Sequence, residues 1–222
     1  MIPTTLTPRK APAQQRSRRM VETLLEAAAR VLETRGQAGF NTNLVAEAAG
    51  VSVGSLYQYF PGKAALLAAL VRADSEAFAA ALEAAVTDTG REDMPTTLNR
   101  LIALAVSHQL DRPVLARLLD SAERDLGLEA ENGDARHRIA GALLTVLTRH
   151  ADALPPLDSE EAARDLLIIV RALTDSAAGE ASPDRTALTR RVTRAALGYL
   201  FAPTLDVAKL FPQSVGNGET SV

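Results

Sequence analysis

Along almost the whole chain, apolar residues return every third or fourth position. From Met20 they run Val21, Leu24, Leu25, Ala28, Val31, Leu32, with Glu22, Glu26, Arg30 and Glu33 between them. That spacing puts one apolar stripe on one side of a helix. The same period recurs at Leu66, Leu67, Leu70, Val71, Phe78, Leu82 and Val86, and again at Leu98, Leu101 and Ile102. It returns at Ile139, Leu143 and Leu147, then at Leu188, Val192, Ala196 and Leu200. No hairpin signal and no internal repeat interrupts it. Helices of this kind bury their stripes only against other helices, so the expected fold class is all-α. Aromatic residues are 4% of the chain and alanine and leucine are plentiful, which fits. With 222 residues, 47% of them hydrophobic, the core needs no disulfide or metal staple, and there is no cysteine to make one.

Glycine, proline and short polar residues divide the stripes. Gly36 and Gly39 end the first helix. Asn41 is placed to cap a short helix from Thr42 to Ala49, Gly50 supplies a turn, and Ser52 caps the next helix, which runs to about Phe60. Pro61-Gly62 breaks the chain and Lys63 opens a long helix. Further on, Gly90 and Asn132-Gly133 mark loops, and Pro95 and Pro113 start helices. Asp158 with Glu161 forms a capping box, Gly179 ends the helix that follows, and Ser182-Pro183 starts the last one. Residues 1–15 carry Pro3, Pro8 and Pro12 without an apolar period and read as a flexible arm. The tail 203–222 reads as disordered apart from an anchor at Leu210-Phe211. The division expected is an arm at 1–15, a first helical domain at 16–62, a larger one at 63–202, and the tail.

The net charge of −3 hides an asymmetry. Residues 1–63 hold eight Lys and Arg against four Asp and Glu; residues 64–222 hold 16 against 23. Arg9, Lys10, Arg16, Arg18 and Arg19 fall within the first twenty residues, where there is no acid. A basic head on an acidic body suits a polyanionic partner at one end, or else a merely solvated tail. No apolar run approaches the ~20 residues of a membrane span, and the basic N-terminus lacks the apolar stretch of a secretory signal. The expectation is a soluble, cytoplasmic protein with no membrane partner.

Two short helices joined by a glycine-containing turn, between Asn41 and Phe60, make a helix-turn-helix. Ala46 is small enough for the second helix to cross closely, and Val51, Leu56 and Phe60 fill the interface. Burying them turns Val53, Gly54, Ser55, Tyr57, Gln58 and Tyr59 outward, a face without a charge. Those residues suit a DNA groove. Gly54 lets backbone approach bases or phosphates, Gln58 matches adenine bidentately, and Val53 or the Ser55 methylene meets a thymine methyl. Tyr57, Tyr59 and Thr42 have hydroxyls for phosphate oxygens, and Lys63 adds a positive charge. A packing role alone is the alternative for such a unit.

The stretch FNTNLVAEAAGVSVGSLYQYFPGKAALLAAL resembles the DNA-binding domain of the TetR/AcrR family of bacterial transcriptional regulators. Ala46, Ala49-Gly50-Val51-Ser52, Gly54-Ser55-Leu56-Tyr57, Tyr59-Phe60, Lys63 and Leu66-Leu67 carry the likeness, which spans roughly residues 20–70. Gly62 departs from it, standing where a polar residue is common. The resemblance implies a homodimeric repressor on a double-stranded DNA operator, released by a small-molecule effector. It implies three helices for DNA, with about six for ligand and dimer, and operator contacts at Thr42, Val53, Gly54, Ser55, Tyr57, Gln58, Tyr59 and Lys63. Leu166 to Val170 and Leu188 to Leu200 would form the dimer surface, unless they only complete the protomer's core.

Polar residues inside apolar helices are candidates for the effector site that the resemblance implies, or else satisfied buried or surface side chains: His108, Arg171, Thr174 and Asp175. An i, i+4 pairing of Arg171 with Asp175 is the alternative there. No HExxH, GxSxG or Walker spacing occurs, so no catalytic residue, metal ligand or cofactor is expected. Two further readings stay open. One is a DNA-binding regulator without a small ligand. The other is a metal-dependent enzyme built on Asp120, Glu123 and His137.

Overall fold

The computed structural model describes residues 15–87, 92–128, 133–180 and 183–201. Their secondary structure is helical, without a strand: α1 Gln15–Gly39, α2 Thr42–Ala48, α3 Val53–Tyr59, α4 Lys63–Thr87, α5 Met94–Asp111, α6 Pro113–Leu126, α7 Gly133–Arg149, α8 Ser159–Ala178 and α9 Arg185–Phe201, with a 3₁₀ turn at Ala151–Ala153. The proline-rich start, the loop residues Gly90 and Asn132, Ser182 and the C-terminal tail lie outside the described residues.

Local chemistry sets many of these boundaries. The Asn41 side chain accepts from the Leu44 amide at 3.0 Å, and Ser52 Oγ accepts from the Ser55 amide at 3.0 Å. Asp158 Oδ1 takes both the Glu160 and Glu161 amides, at 2.9 and 3.0 Å. Asp93, unmarked in the sequence, caps α5 through the Thr96 amide at 2.8 Å. Between α2 and α3, Gly50 adopts φ 69°, which a side chain would disfavour.

Helix α1 departs from expectation at its start. It begins at Gln15, ahead of the apolar stripe, so Arg16, Arg18 and Arg19 are exposed on its first turns. Gln, Ser and Arg form helix without any apolar pattern to announce it. Gly36 did not end the helix outright: at φ 63° it kinks the chain, which runs on to Gly39.

Two apolar cores follow. The first gathers Leu24, Leu32, Phe40, Val45, Leu56, Phe60 and Leu66, all essentially buried, from α1 to α3 and the start of α4. Leu115, Leu119 and Ala122 of α6 also belong to it. Burying a side chain such as Leu56 contributes about 1.5–3 kcal/mol. The second core joins the far half of α4 to α5, α7, α8 and α9. Helices α4 and α6 therefore touch what surrounds both halves.

The apolar residues of the last two helices are mostly spent within the protomer. Leu166, Leu188, Val192, Ala196 and Leu200 all sit in the second core. What α8 and α9 leave outside is narrower: Ile168, 66% exposed, and Phe201, 37% exposed. No described helix is long and apolar enough to cross a membrane.

Candidate nucleic-acid interface and interior cavity

Helix α3 is held by its inner side. Leu56 and Phe60, four residues apart, are both fully buried. Val53, Gly54, Tyr57 and Gln58, at i, i+1, i+4 and i+5, share the opposite face and are exposed. Val53 is 36% and Tyr57 40% exposed, high values for large apolar and aromatic side chains. A Cβ on Gly54 would meet only Ser52 Oγ, at 3.8 Å, so internal packing does not require glycine there.

The remaining residues expected on this face are placed differently. Thr42 is buried, and its hydroxyl lies 3.2 Å from the Tyr57 hydroxyl, tying the start of α2 to α3. Ser55 is half-buried, with Oγ 2.8 Å from Ser52 Oγ inside the cap. Tyr59 follows Leu56 by three residues, which turns it beside Leu56 against the first core. Lys63 is exposed, but its Nζ donates to the Gln37 carbonyl at 2.7 Å and stands 5.8 Å from the centre of the Phe40 ring. Of the eight residues, four form an open, uncharged face; Thr42, Ser55 and Lys63 brace it and Tyr59 anchors it.

A cavity of about 420 Å³ opens among α4, α5, α6, α7 and α8. His108, Arg171, Thr174 and Asp175 all line it, so the structure brings together the four polar residues singled out within apolar stripes. His108 stacks against Phe78, ring centres 4.5 Å apart, and its Nε2 lies 3.5 Å from Asp74. Burial resists protonation of His108. The hydrogen bond and charge of Asp74, with Asp120 and Asp111 behind them, outweigh that and raise its pKa above 6.5. Arg171 lies 3.1 Å from Asp120, 3.7 Å from Glu123 and 3.6 Å from Asp175. Burial, then the nearby Asp120 charge, raises the Asp175 pKa above the usual carboxylate value despite Arg171. Thr174 is buried, and its hydroxyl donates to its own helix at the Val170 and Arg171 carbonyls, both 3.0 Å away.

Sequence reasoning missed Asp74, Asp120, Glu123 and Arg136 as cavity residues. The signal was present on α6, where Ala116, Leu119, Asp120 and Glu123 stand at i, i+3, i+4 and i+7. The grouping of Asp120 and Glu123 with His137 does not form. Both carboxylates pair with arginines, Glu123 with Arg136 at 2.9 Å, and no cluster able to hold a metal exists among the described residues.

Helix α6 connects the two regions. Its Asp120 and Glu123 face the cavity while Leu115 and Ala122 pack in the first core. Just before it, Arg112 reaches Glu33 of α1 at 2.8 Å and Glu26 at 3.6 Å. Near its end Asp125 accepts from Gln37 Nε2 at 3.1 Å.

Comparison with known proteins agrees with this arrangement. Residues 24–70 match the family model described as bacterial regulatory proteins, tetR family, and residues 93–200 match the tetracyclin repressor-like C-terminal domain. No curated protein gives a significant match. Among solved structures, a TetR-family regulator from Mesorhizobium loti shares 18% identity at a TM-score of 0.69, covering 84% of this chain and 98% of its own. The fatty acid degradation regulator FadR from Bacillus halodurans shares 20% identity at 0.69, covering 81% and 95%. FadR from Bacillus subtilis, solved with stearoyl-CoA, shares 19% at 0.68, covering 79% and 96%. At these identities the likeness is one of fold. With its helix-turn-helix and its C-terminal helices each matching a model of the same group, this chain belongs to the TetR family of bacterial transcriptional regulators.

Proposed function

We propose that the chain is a repressor that binds a palindromic operator as a homodimer and leaves it when a small molecule enters the interior cavity. The observation that carries the reading is the open face of α3: Val53, Gly54, Tyr57 and Gln58 are exposed and uncharged because Leu56 and Phe60 are buried beneath them. Gln58 is assigned to a base edge, Val53 to a thymine methyl, and Gly54 to close backbone approach. Tyr57 is held in orientation by Thr42 and turned toward a phosphate. Ser55 and Tyr59 act by positioning α3. Lys63 contributes charge to the phosphate backbone from beside the same face.

A helix of seven residues makes few base contacts, so two copies about 34 Å apart, or a multiple of that, give the needed affinity. The proposed dimer surface lies on α8 and α9 and includes Phe201 and Ile168, the latter also lining the cavity, with the buried leucines of those helices serving each protomer's own core. The domains proposed are a helix-turn-helix unit at 16–62 and an effector and dimer unit at 63–202.

The effector site is the cavity, at a volume suited to a small organic ligand. The stearoyl-CoA of the Bacillus subtilis neighbour suggests an acyl-CoA as one class to test. A ligand that fits one arrangement of α6 better than another shifts the two halves together, since α6 lines the cavity and leans on α1. The test is a mobility shift with DNA flanking the chain's own coding sequence, with stoichiometry from sedimentation. Two chains per site, with binding lost on adding a cavity ligand, is the expected result. Absence of any sequence-specific complex would overturn the reading.

A further inference from the structure

We propose that the cavity takes a hydrophobic cation, an apolar body bearing an amine or similar positive group, rather than an anionic lipid. This rests on reading the cavity as the effector site. Its walls are apolar, with Phe78, Leu98, Ile102 and Leu143 among them. Among the described residues its ionisable groups are unbalanced: Asp74, Asp120, Glu123 and Asp175 stand against Arg136, Arg171 and His108, the last paired with Asp74. One guanidinium, Arg171, lies within 4 Å of three of the four carboxylates.

Charges gathered along a partly open cavity with apolar walls interact more strongly than charges in open water. An entering cation meets an excess of carboxylate and lowers the repulsion among Asp120, Asp175 and Glu123. An entering carboxylate or phosphate adds to that repulsion. The pKa of Asp175 is raised first by burial and then by the Asp120 charge, against the pull of Arg171 and Arg124. Arg171 is half exposed and already offsets part of the carboxylate charge, so a ligand's positive group would lie beside Asp120 and Asp175 rather than in the guanidinium's place. A coenzyme A thioester brings several phosphate charges and suits this lining poorly.

The test is isothermal titration of the full chain with decylammonium, decanol, decanoate and stearoyl-CoA, each at micromolar concentration. Decylammonium is expected to bind roughly tenfold or more tightly than decanoate and detectably better than decanol. Asp120→Asn and Asp175→Asn are each expected to weaken decylammonium severalfold. Asp125→Asn, which alters a carboxylate bonded to Gln37 outside the cavity lining, should leave it unchanged. Two variants of the cavity guard against one that fails to fold. Equal or tighter binding of decanol, decanoate or stearoyl-CoA would overturn the cation inference while leaving the cavity as an effector site. So would decylammonium binding that neither Asn variant weakens. Failure of all four compounds to bind would overturn both.

Discussion

The Lys63 ammonium is shared between the fold and the surface. Its bond to the Gln37 carbonyl and its place over Phe40 hold the start of α4 against the end of α1. Lys63→Met is therefore expected to cost about 1 kcal/mol of stability or less by denaturant titration. It should also weaken DNA binding on all sequences alike and flatten the salt dependence by less than a full unit of slope. His108 makes a different prediction. Its pKa is raised in the folded protein because its Asp74 partner, with Asp120 and Asp111, overcomes the cost of burial. A raised value means stability fully present below the ordinary pKa and lost as pH rises through the folded one. The thermal midpoint lost in His108→Gln should be larger below the ordinary imidazole pKa than at alkaline pH, above the raised folded value. Equal losses at both would show that the Asp74 pair carries no charge linkage.

Short helices α2 and α3 depend on their caps, since seven residues form few internal bonds. Ser52→Ala removes the acceptor for the Ser55 amide and the partner of Ser55 Oγ. It should cost about 1 kcal/mol in chemical denaturation and weaken DNA binding by fraying α3. This layer of the fold was legible in the sequence because its causes are local. Asn41, Ser52 and Asp158 each reach an amide two or three residues ahead, and the Leu56–Phe60 spacing alone turned Val53 and Gln58 outward. What was not legible depends on residues far apart. The contact of the buried Thr42 with Tyr57 spans 15 residues. Tyr59 reads as outward until α3 is docked on the first core. Asp120 and Glu123 read as metal candidates with His137, or as solvated carboxylates, until Arg171, on α8, is folded beside them. The start of α1 escaped because its first turn has no apolar period at all.

At the scale of the whole molecule, two cores are joined by α4, which belongs partly to each. Helix α4 runs from the first to the second, and α6 packs in the first while facing the cavity. The proposed coupling between cavity and DNA would run through α6 and the Arg112 pairs with Glu33 and Glu26. Arg112→Met is expected to leave binding of a cavity ligand nearly unchanged. It should reduce the effect of that ligand on DNA affinity by about 0.5–2 kcal/mol, read from DNA titrations with and without ligand. An undiminished ligand effect would move the route to α4 alone. The central claim is that the exposed face of α3 reads a duplex. Its most direct test is selection from a random duplex pool, sequenced in parallel for the native chain and for Gln58→Ala. The account predicts a two-fold symmetric motif for the native chain. In the variant, one base pair per half-site should lose its preference, a discrimination of about 1–3 kcal/mol. An identical motif at identical affinity from both proteins would contradict it.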